Sequence, residues 1–163
     1  MFQKGDIVLY RLNISSIFDI ERVDGKKYYV LHSLEVDNCT YKVPIENAFH
    51  SIVDFPSIKR MEALFTGLKD VEIVCIKRTM VDKCCKPIIH SIDLPAWLGL
   101  LKSLYYDKCG AQKAGKKFPE KSKYYYDFIL HRFAAIYSHM KAIHVDDSAH
   151  YVENVLKMSC DNL

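Results

Sequence analysis

The period of the hydrophobic pattern changes once along the chain, close to Pro56. Upstream, residues 6–43 follow the period-two pattern of short, half-buried strands. Downstream, apolar residues recur every three or four positions, as in helices that pack on one face. The sequence therefore predicts an α+β chain, in which a small antiparallel β-barrel of the SH3 or Tudor type precedes an all-helical domain. We place the boundary near 53–57 and assign residues 1–55 and 56–163 to the two domains.

Four strands can be read in the first domain, and a fifth would complete a barrel of this small size. The Asp24-Gly25 pair predicts a tight turn between the second and third strands. Asp37-Asn38 predicts a turn before the fourth strand, which Pro44 ends because it has no N–H for a central ladder. The predicted strands are 6–11, 16–23, 27–32 and 40–43.

The second domain contains recognisable helix starts, and we predict a bundle of four to six helices. A first helix ends near Gly67, and the longest one follows the third start. Strand-like alternation returns only around 71–76. The residues expected to begin the helices are Ser57, Ser91 or Asp93, Pro119, and Asp146 or Asp147.

Nothing in the sequence indicates a membrane or secreted protein. The longest apolar stretch, 94–101, is far below the roughly 20 residues that a bilayer-spanning helix needs. The N-terminus lacks the sustained apolar core and cleavage site of a secretory leader. The six cysteines form no Cys-x-x-Cys pair, so we expect free thiols in a cytoplasmic protein, most of them acting as packing groups.

Signatures of enzymes and metal sites are also missing. There is no Gly-rich phosphate loop, no Gly-x-Ser-x-Gly and no His-Glu-x-x-His. His139 and His144 are five residues apart and would face different sides of a helix. A nucleophilic pair of Cys85 and His90 has no group to orient the base and no oxyanion hole. We therefore expect no catalytic residue, no metal and no cofactor.

Positive charge is concentrated in the second half of the chain. Residues 1–55 carry six Lys/Arg and eight Asp/Glu, whereas 102–123 holds seven lysines against two acidic residues. Taken alone, this lysine stretch is typical of a solvated loop; the alternative is a face that contacts phosphates. The adjacent Tyr124-Tyr125-Tyr126 suits stacking on bases, although at least one ring must face the helical core. Trp97 is expected in the core.

Three segments of the first domain resemble a known family. Residues 2–10, 27–31 and 41–48 are similar in order, spacing and type to the RNA polymerase-interacting domain of CarD-like bacterial transcription regulators. The resemblance continues more weakly through the helix starts of the second domain. It implies a Tudor-like domain that binds the β subunit of RNA polymerase, and a helical domain that contacts upstream promoter DNA and helps the open complex persist.

The sequence departs from that family at three places. Residues 11–16 lack its typical Pro and Gly, and Lys42 keeps the charge of a basic position without the forked guanidinium. The tryptophan that family members commonly insert into the minor groove has no counterpart near 77–86. Met80 or Val81 would be a smaller wedge, although we favour a core position for Met80.

The sequence therefore predicts a monomeric regulator that binds polymerase and contacts promoter DNA without reading bases. The alternative is a protein-interaction adaptor that keeps the barrel but has lost the DNA wedge activity. The predicted partner-binding residues are Arg22, Lys26, Tyr41, Lys42, Val43 and Pro44. The predicted DNA-binding residues are Lys77, Arg78, Met80, Lys83, Lys86, Lys113, Lys116 and Lys117.

Overall fold

The structure, a computed structural model, describes residues 1–161 and divides into two compact units. The first unit extends from Met1 to Pro56, and the second begins at Ser57. All strands of the described residues lie in the first unit, and all their α-helices lie in the second. The predicted α+β class, with an antiparallel sheet followed by helices, is confirmed.

The first unit is a five-stranded antiparallel sheet. Its strands are β1 (Ile7–Tyr10), β2 (Asn13–Val23), β3 (Lys26–Ser33), β4 (Thr40–Pro44) and β5 (Ile52–Asp54). Their order across the sheet is β4-β3-β2-β1-β5. A 3-10 helix, Ile45–His50, joins β4 to β5, which pairs with β1. The last strand therefore returns to the first, and β4 is left at the far end of the sheet.

Two tight turns of this sheet use positive backbone φ angles. Asp24 and Gly25, with φ of 50° and 79°, join β2 to β3 as the Asp-Gly pair predicts. Arg11 and Leu12 join β1 to β2 with φ of 50° and 64°, although neither is glycine. Leu12 is only 1% exposed, and its burial offsets the strain of a left-handed conformation.

The core of the first unit is formed by inward-facing residues of the strands and the 3-10 helix. A β-bulge between Ile17 and Asp19 shifts the register of β2 against β3. It leaves Phe18 exposed, where its ring stacks on His32 with centroids 4.0 Å apart. The buried core residues are Val8, Ile17, Tyr29, Leu31, Val43, Ala48 and Ile52.

The second unit contains α1 (Ile58–Gly67), α2 (Val81–Ile89), α3 (Leu94–Lys113), α4 (Glu120–Lys141) and α5 (Val145–Cys160). Two of the predicted caps are confirmed. Ser57 accepts the N–H of Arg60 at 3.2 Å, and Asp93 accepts that of Ala96 at 3.2 Å. Both caps could be predicted because each interaction spans only three residues.

One predicted helix cap of the second unit is wrong, and the segment with strand-like alternation is not a strand. The N-cap of α5 is His144, whose Nδ1 accepts the N–H of Asp146, so Asp146 and Asp147 occupy the first helical turn instead. Residues 71–76 form no strand. The N–H of Val74 donates to Ser103 Oγ on α3 at 3.1 Å, so this apolar segment is held by a helix rather than by a partner strand.

Aromatic residues of the second unit occupy the positions expected of a helical core. Trp97 is 1% exposed, and Tyr125 and Tyr126 are buried, whereas Tyr124 is 63% exposed. All six thiols are free, but only Cys85 is fully buried, so the prediction that most are packing groups is too broad. None of the helices of residues 1–161 has the length and apolar character needed to cross a membrane.

Candidate binding surfaces

β4 is an edge strand that carries four of the predicted partner-binding residues. Within the described residues it pairs only with β3. An edge strand presents N–H and C=O groups to which a partner can add a strand. The side chain of Lys42 is 55% exposed. Val43 is buried, so only its backbone is available, and Tyr41 and Pro44 are partly buried.

The cations predicted to assist β4 lie near it. Arg22 and Lys26 belong to the β2–β3 hairpin. Lys42 Nζ lies 2.6 Å from Glu21 Oε2, and Lys26 Nζ lies 3.7 Å from Glu46 Oε1. These two contacts join the hairpin to β4 and to the 3-10 helix that follows it. Lys42 and Lys26 are thus both linked to this hairpin, but carboxylates already compete for them, while Arg22 lies on β2 of the same hairpin.

Tyr41 supports the sheet rather than offering a free phenol. Its ring lies 4.9 Å from that of Tyr10, centroid to centroid. A hydrogen bond with the Cys39 side chain, together with burial, raises the pKa of Tyr41. The phenol therefore stays protonated at neutral pH, and the exposed cation Lys42 is the better candidate for a side-chain contact with a partner.

A first basic surface surrounds the start of α2. Lys77, Arg78, Lys83 and Lys86 are all exposed. In residues 1–161 none of them has a carboxylate within ion-pair distance. Their charges are therefore not neutralised by direct ion pairs, which suits a phosphate-contacting surface. We call these four residues the α2 cluster.

The apolar residue beside the α2 cluster is Met80. It is 36% exposed at the N-cap of α2, so the prediction that Met80 is a core residue is wrong. Val81 is 1% exposed, which excludes it as a wedge. Of the two residues considered for that role, only Met80 is accessible.

Lys102 has a structural role that the sequence did not predict. In the sequence it is one of the seven lysines of the basic stretch. The side chain is buried, and the residue is 1% exposed. Nζ donates to the carbonyls of Leu68 at 2.8 Å, Lys69 at 3.2 Å and Val71 at 2.7 Å. These bonds use all three N–H groups of the ammonium. They anchor the chain after α1, where the helix C-terminus favours a cation.

One sequence signal for this role was present. Lys102 follows Leu98 by four residues, so the two lie on the same face of α3, which is apolar. Gly99 belongs to the same surface, because a Cβ built there would lie 3.3 Å from Val71 Cγ1. With the Ser103 bond to Val74, α3 holds the whole segment that leads to the α2 cluster.

The rest of the lysine stretch is less basic than its composition suggests. Lys113 and Lys116 are exposed, and neither has a carboxylate within ion-pair distance in the described part of the chain. The other four lysines are paired, three of them through exposed contacts that contribute little energy. The pairs are Lys108 with Glu153, Lys117 with Glu120, Lys121 with Asp82 and Lys123 with Asp127.

The two predicted DNA-binding groups meet at a groove of about 300 Å³. Arg78 of the α2 cluster and Lys116 of the second group both line it. The groove lies between the C-terminal end of α3 and the start of α4, where Pro119 and Ser122 contribute to the lining. Nothing in the spacing of Arg78 and Lys116 along the sequence indicates that they share a cavity.

Residues of α4 contact α2 through Asp82 and expose two aromatic rings to solvent. Asp82 accepts hydrogen bonds from Lys121 Nζ at 2.6 Å and from the Tyr125 hydroxyl at 2.8 Å. These bonds hold the pKa of Asp82 below its usual range. Tyr124 and Phe128 are exposed, with rings within 10° of parallel and centroids 6.4 Å apart. Of the tyrosine triplet, only Tyr124 is placed to stack on a base.

The polar clusters of the second unit join its helices. No group of His, Cys, Asp or Glu within residues 1–161 has the geometry to hold a metal ion. Tyr126 donates to Glu153 Oε1 at 2.6 Å, and Lys108 Nζ lies 3.3 Å from the same oxygen, so this network joins three helices. Burial raises the pKa of Cys85 to about 11, which keeps that thiol protonated at neutral pH.

Comparisons with known proteins add no identification. No protein-family model matches the chain, and no curated protein matches it. The function must therefore be argued from the edge strand β4, the α2 cluster and the groove.

Proposed function

We propose that this protein is a cytoplasmic, non-enzymatic transcription regulator that acts as a monomer. Its first unit binds the β subunit of RNA polymerase, and its second unit contacts promoter DNA. We also propose that the sheet curls into a partly open Tudor-like barrel, which leaves β4 at an edge. Five antiparallel strands, a bulged β2 and a 3-10 helix before the last strand are typical of small barrels.

The observation that carries the proposal is the edge position of β4. The segment that most resembles the polymerase-interacting domain of CarD-like regulators includes this strand. A partner strand would bind its backbone groups, and the exposed cations Lys42, Lys26 and Arg22 would set the register and the association rate. The N-terminal unit thereby supplies both the backbone and the charges that strand addition needs.

The DNA contact rests on the exposed cations of the second unit. No helix of the described residues carries a row of exposed Asn, Gln or Arg suited to reading base edges. The α2 cluster, Lys113 and Lys116 would instead bind phosphates, so affinity should depend on salt and only weakly on sequence. Met80 lies among these cations but is smaller than a tryptophan wedge, so we propose backbone binding rather than base unstacking.

Retention of the polymerase β subunit by the full chain tests the first half of the proposal. The change Lys42→Glu reverses an exposed charge on β4 and should weaken retention about tenfold. The matched control is Lys4→Glu, because Lys4 is also an exposed lysine of this unit paired with a carboxylate, Asp19, at 3.8 Å. Equal retention of both folded variants would remove β4 from the interface.

A protein-interaction adaptor without DNA contact is the second candidate. The observation that favours it is the reduced basic stretch, in which Lys102 is buried and four lysines are paired. The two candidates differ in one measurement. A DNA-contacting regulator binds a duplex at low salt and releases it steeply as salt rises, whereas an adaptor shows no duplex binding even at low salt.

A further inference from the structure

The groove beside α4 combines cations with an uncapped helix start. Arg78 and Lys116 line it, and Gly110 and Ala111 of α3 leave room for a ligand because their side chains are small. Its volume, about 300 Å³, is at the lower end of the range for small-molecule sites. A groove with this lining favours a small anion.

The N-terminus of α4 contributes to the same groove. Its N-cap is Pro119, which offers no side-chain acceptor, and no side chain caps the helix. Within residues 1–161 the backbone N–H groups of Glu120, Lys121 and Ser122 have no acceptor. Glu120 pairs with Lys117 at 2.6 Å and does not line the groove. Free N–H groups and the positive end of a helix of 22 residues together favour an anion.

Ser122 is the second, independent indication of a ligand. It is 4% exposed and lines the groove. Its hydroxyl has no hydrogen-bond partner in the part of the chain that the structure describes, and the oxygen is not fully buried, so it is open to the groove. An acceptor in the groove would accept a hydrogen bond from this hydroxyl.

We propose that this groove binds a phosphate group. Arg78 and Lys116 neutralise its charge, while the first-turn N–H groups of α4 and the Ser122 hydroxyl donate hydrogen bonds to its oxygens. The phosphate is that of a small phosphorylated ligand or of a DNA backbone, and the chemistry of recognition is the same for both. The inference does not rest on the proposed function, because a free phosphate would bind even if the protein does not bind DNA.

Asp107 is the acidic residue of the lining. Burial raises its pKa, so its negative charge is neutralised more easily than that of an exposed aspartate. The two cations of the lining, Arg78 and Lys116, outnumber this single carboxylate.

Calorimetric titration of the full chain with pyrophosphate, in a chloride buffer of low ionic strength, tests the proposal. The wild-type chain should bind, and Ser122→Ala and Arg78→Gln should each lower the affinity about tenfold, as expected when a hydrogen bond to a charged group is removed. The matched control is Lys59→Gln. It removes one exposed charge from α1 of the same unit but does not line the groove, so it should change the affinity less than about twofold.

Two results would overturn the site: no binding of pyrophosphate by the folded wild-type chain, or an equal loss of affinity in Lys59→Gln and Arg78→Gln. A duplex titration then identifies the source of the phosphate. If pyrophosphate competes with the duplex and Ser122→Ala weakens both, the groove holds a backbone phosphate. If pyrophosphate binds while duplex affinity is absent or unaffected by Ser122→Ala, the ligand is a small phosphate. In that second case the site stands whether or not the proposed DNA contact fails.

Discussion

At the scale of single residues, Lys102 is a buried anchor of the second unit. Its ammonium is buried and is held by three carbonyls rather than by a carboxylate. Lys102→Met fills similar space but leaves those carbonyls without a donor. We expect it to lower the free energy of unfolding by about 3 kcal/mol, because unsatisfied buried polar groups are costly. Urea unfolding followed by the fluorescence of Trp97, the single tryptophan, reports on this unit.

The matched control for Lys102 is Lys113→Met on the same helix. Lys113 is exposed, so its replacement should change the stability by no more than about 0.5 kcal/mol. If Lys102→Met proves as mild as the control, the three carbonyls are satisfied in another way and the anchoring role is wrong.

The second prediction at this scale concerns Glu21. Its carboxylate lies 2.6 Å from Lys42 Nζ and competes with any acidic partner for that cation. Glu21→Gln should raise the affinity for the polymerase β subunit about two- to threefold, because an exposed ion pair is worth less than about 1 kcal/mol. Asp19→Asn, which releases Lys4 instead, is the control. Weaker binding of Glu21→Gln would mean that Glu21 itself contacts the partner. Surface binding assays with the full-length variants measure both.

At the scale of elements, the C-termini of α3 and α4 form a natural comparison. Each is followed by alanine, but Ala142 has a left-handed φ of 54° whereas Ala114 has φ of −83°. Ala142→Gly should therefore stabilise the protein by about 1 kcal/mol, since glycine adopts this conformation without strain. Ala114→Gly should not stabilise it. Thermal unfolding of the two variants decides the matter, and equal effects would contradict the assignment of strain to Ala142.

The same elements show what the sequence could and could not predict. Ser57 and Asp93 were readable as caps because their partners lie three residues away. The conformation of residues 71–76 could not be predicted in this way. The segment is apolar and β-branched like a strand, and the contact with Ser103 that holds it comes from a distant part of the chain. The position of Lys102 was missed for a related reason. Its charge suggested solvent, and only the carbonyls after α1 explain its burial.

At the scale of the whole molecule, the exposed positive charge does not lie where the lysines are most concentrated in the sequence. The sequence located the excess of lysines in residues 102–123, yet most of these are paired or buried. The four cations of the α2 cluster, outside that stretch, are exposed and have no carboxylate within ion-pair distance in residues 1–161. The basic residues of the candidate site could be predicted from the sequence. Which lysines form ion pairs with carboxylates could not, because that depends on which helices pack together. The exposed positive charge that has no carboxylate partner is therefore centred on α2.

This distribution leads to a prediction about salt. Replacing the four cations of the α2 cluster with glutamine should flatten the plot of log affinity for a duplex against log salt by about 0.9 for each phosphate that the variant no longer binds. Replacing Lys117, Lys121 and Lys123 with glutamine removes a comparable charge, but these lysines already face carboxylates, so the slope should change little. Equal flattening in both sets would mean that the salt dependence of duplex affinity reflects only the net charge of the protein.

The decrease in affinity caused by replacing the α2 cluster should also be the same on unrelated duplex sequences, because phosphate contacts carry no base information. A strong dependence on sequence would contradict backbone binding.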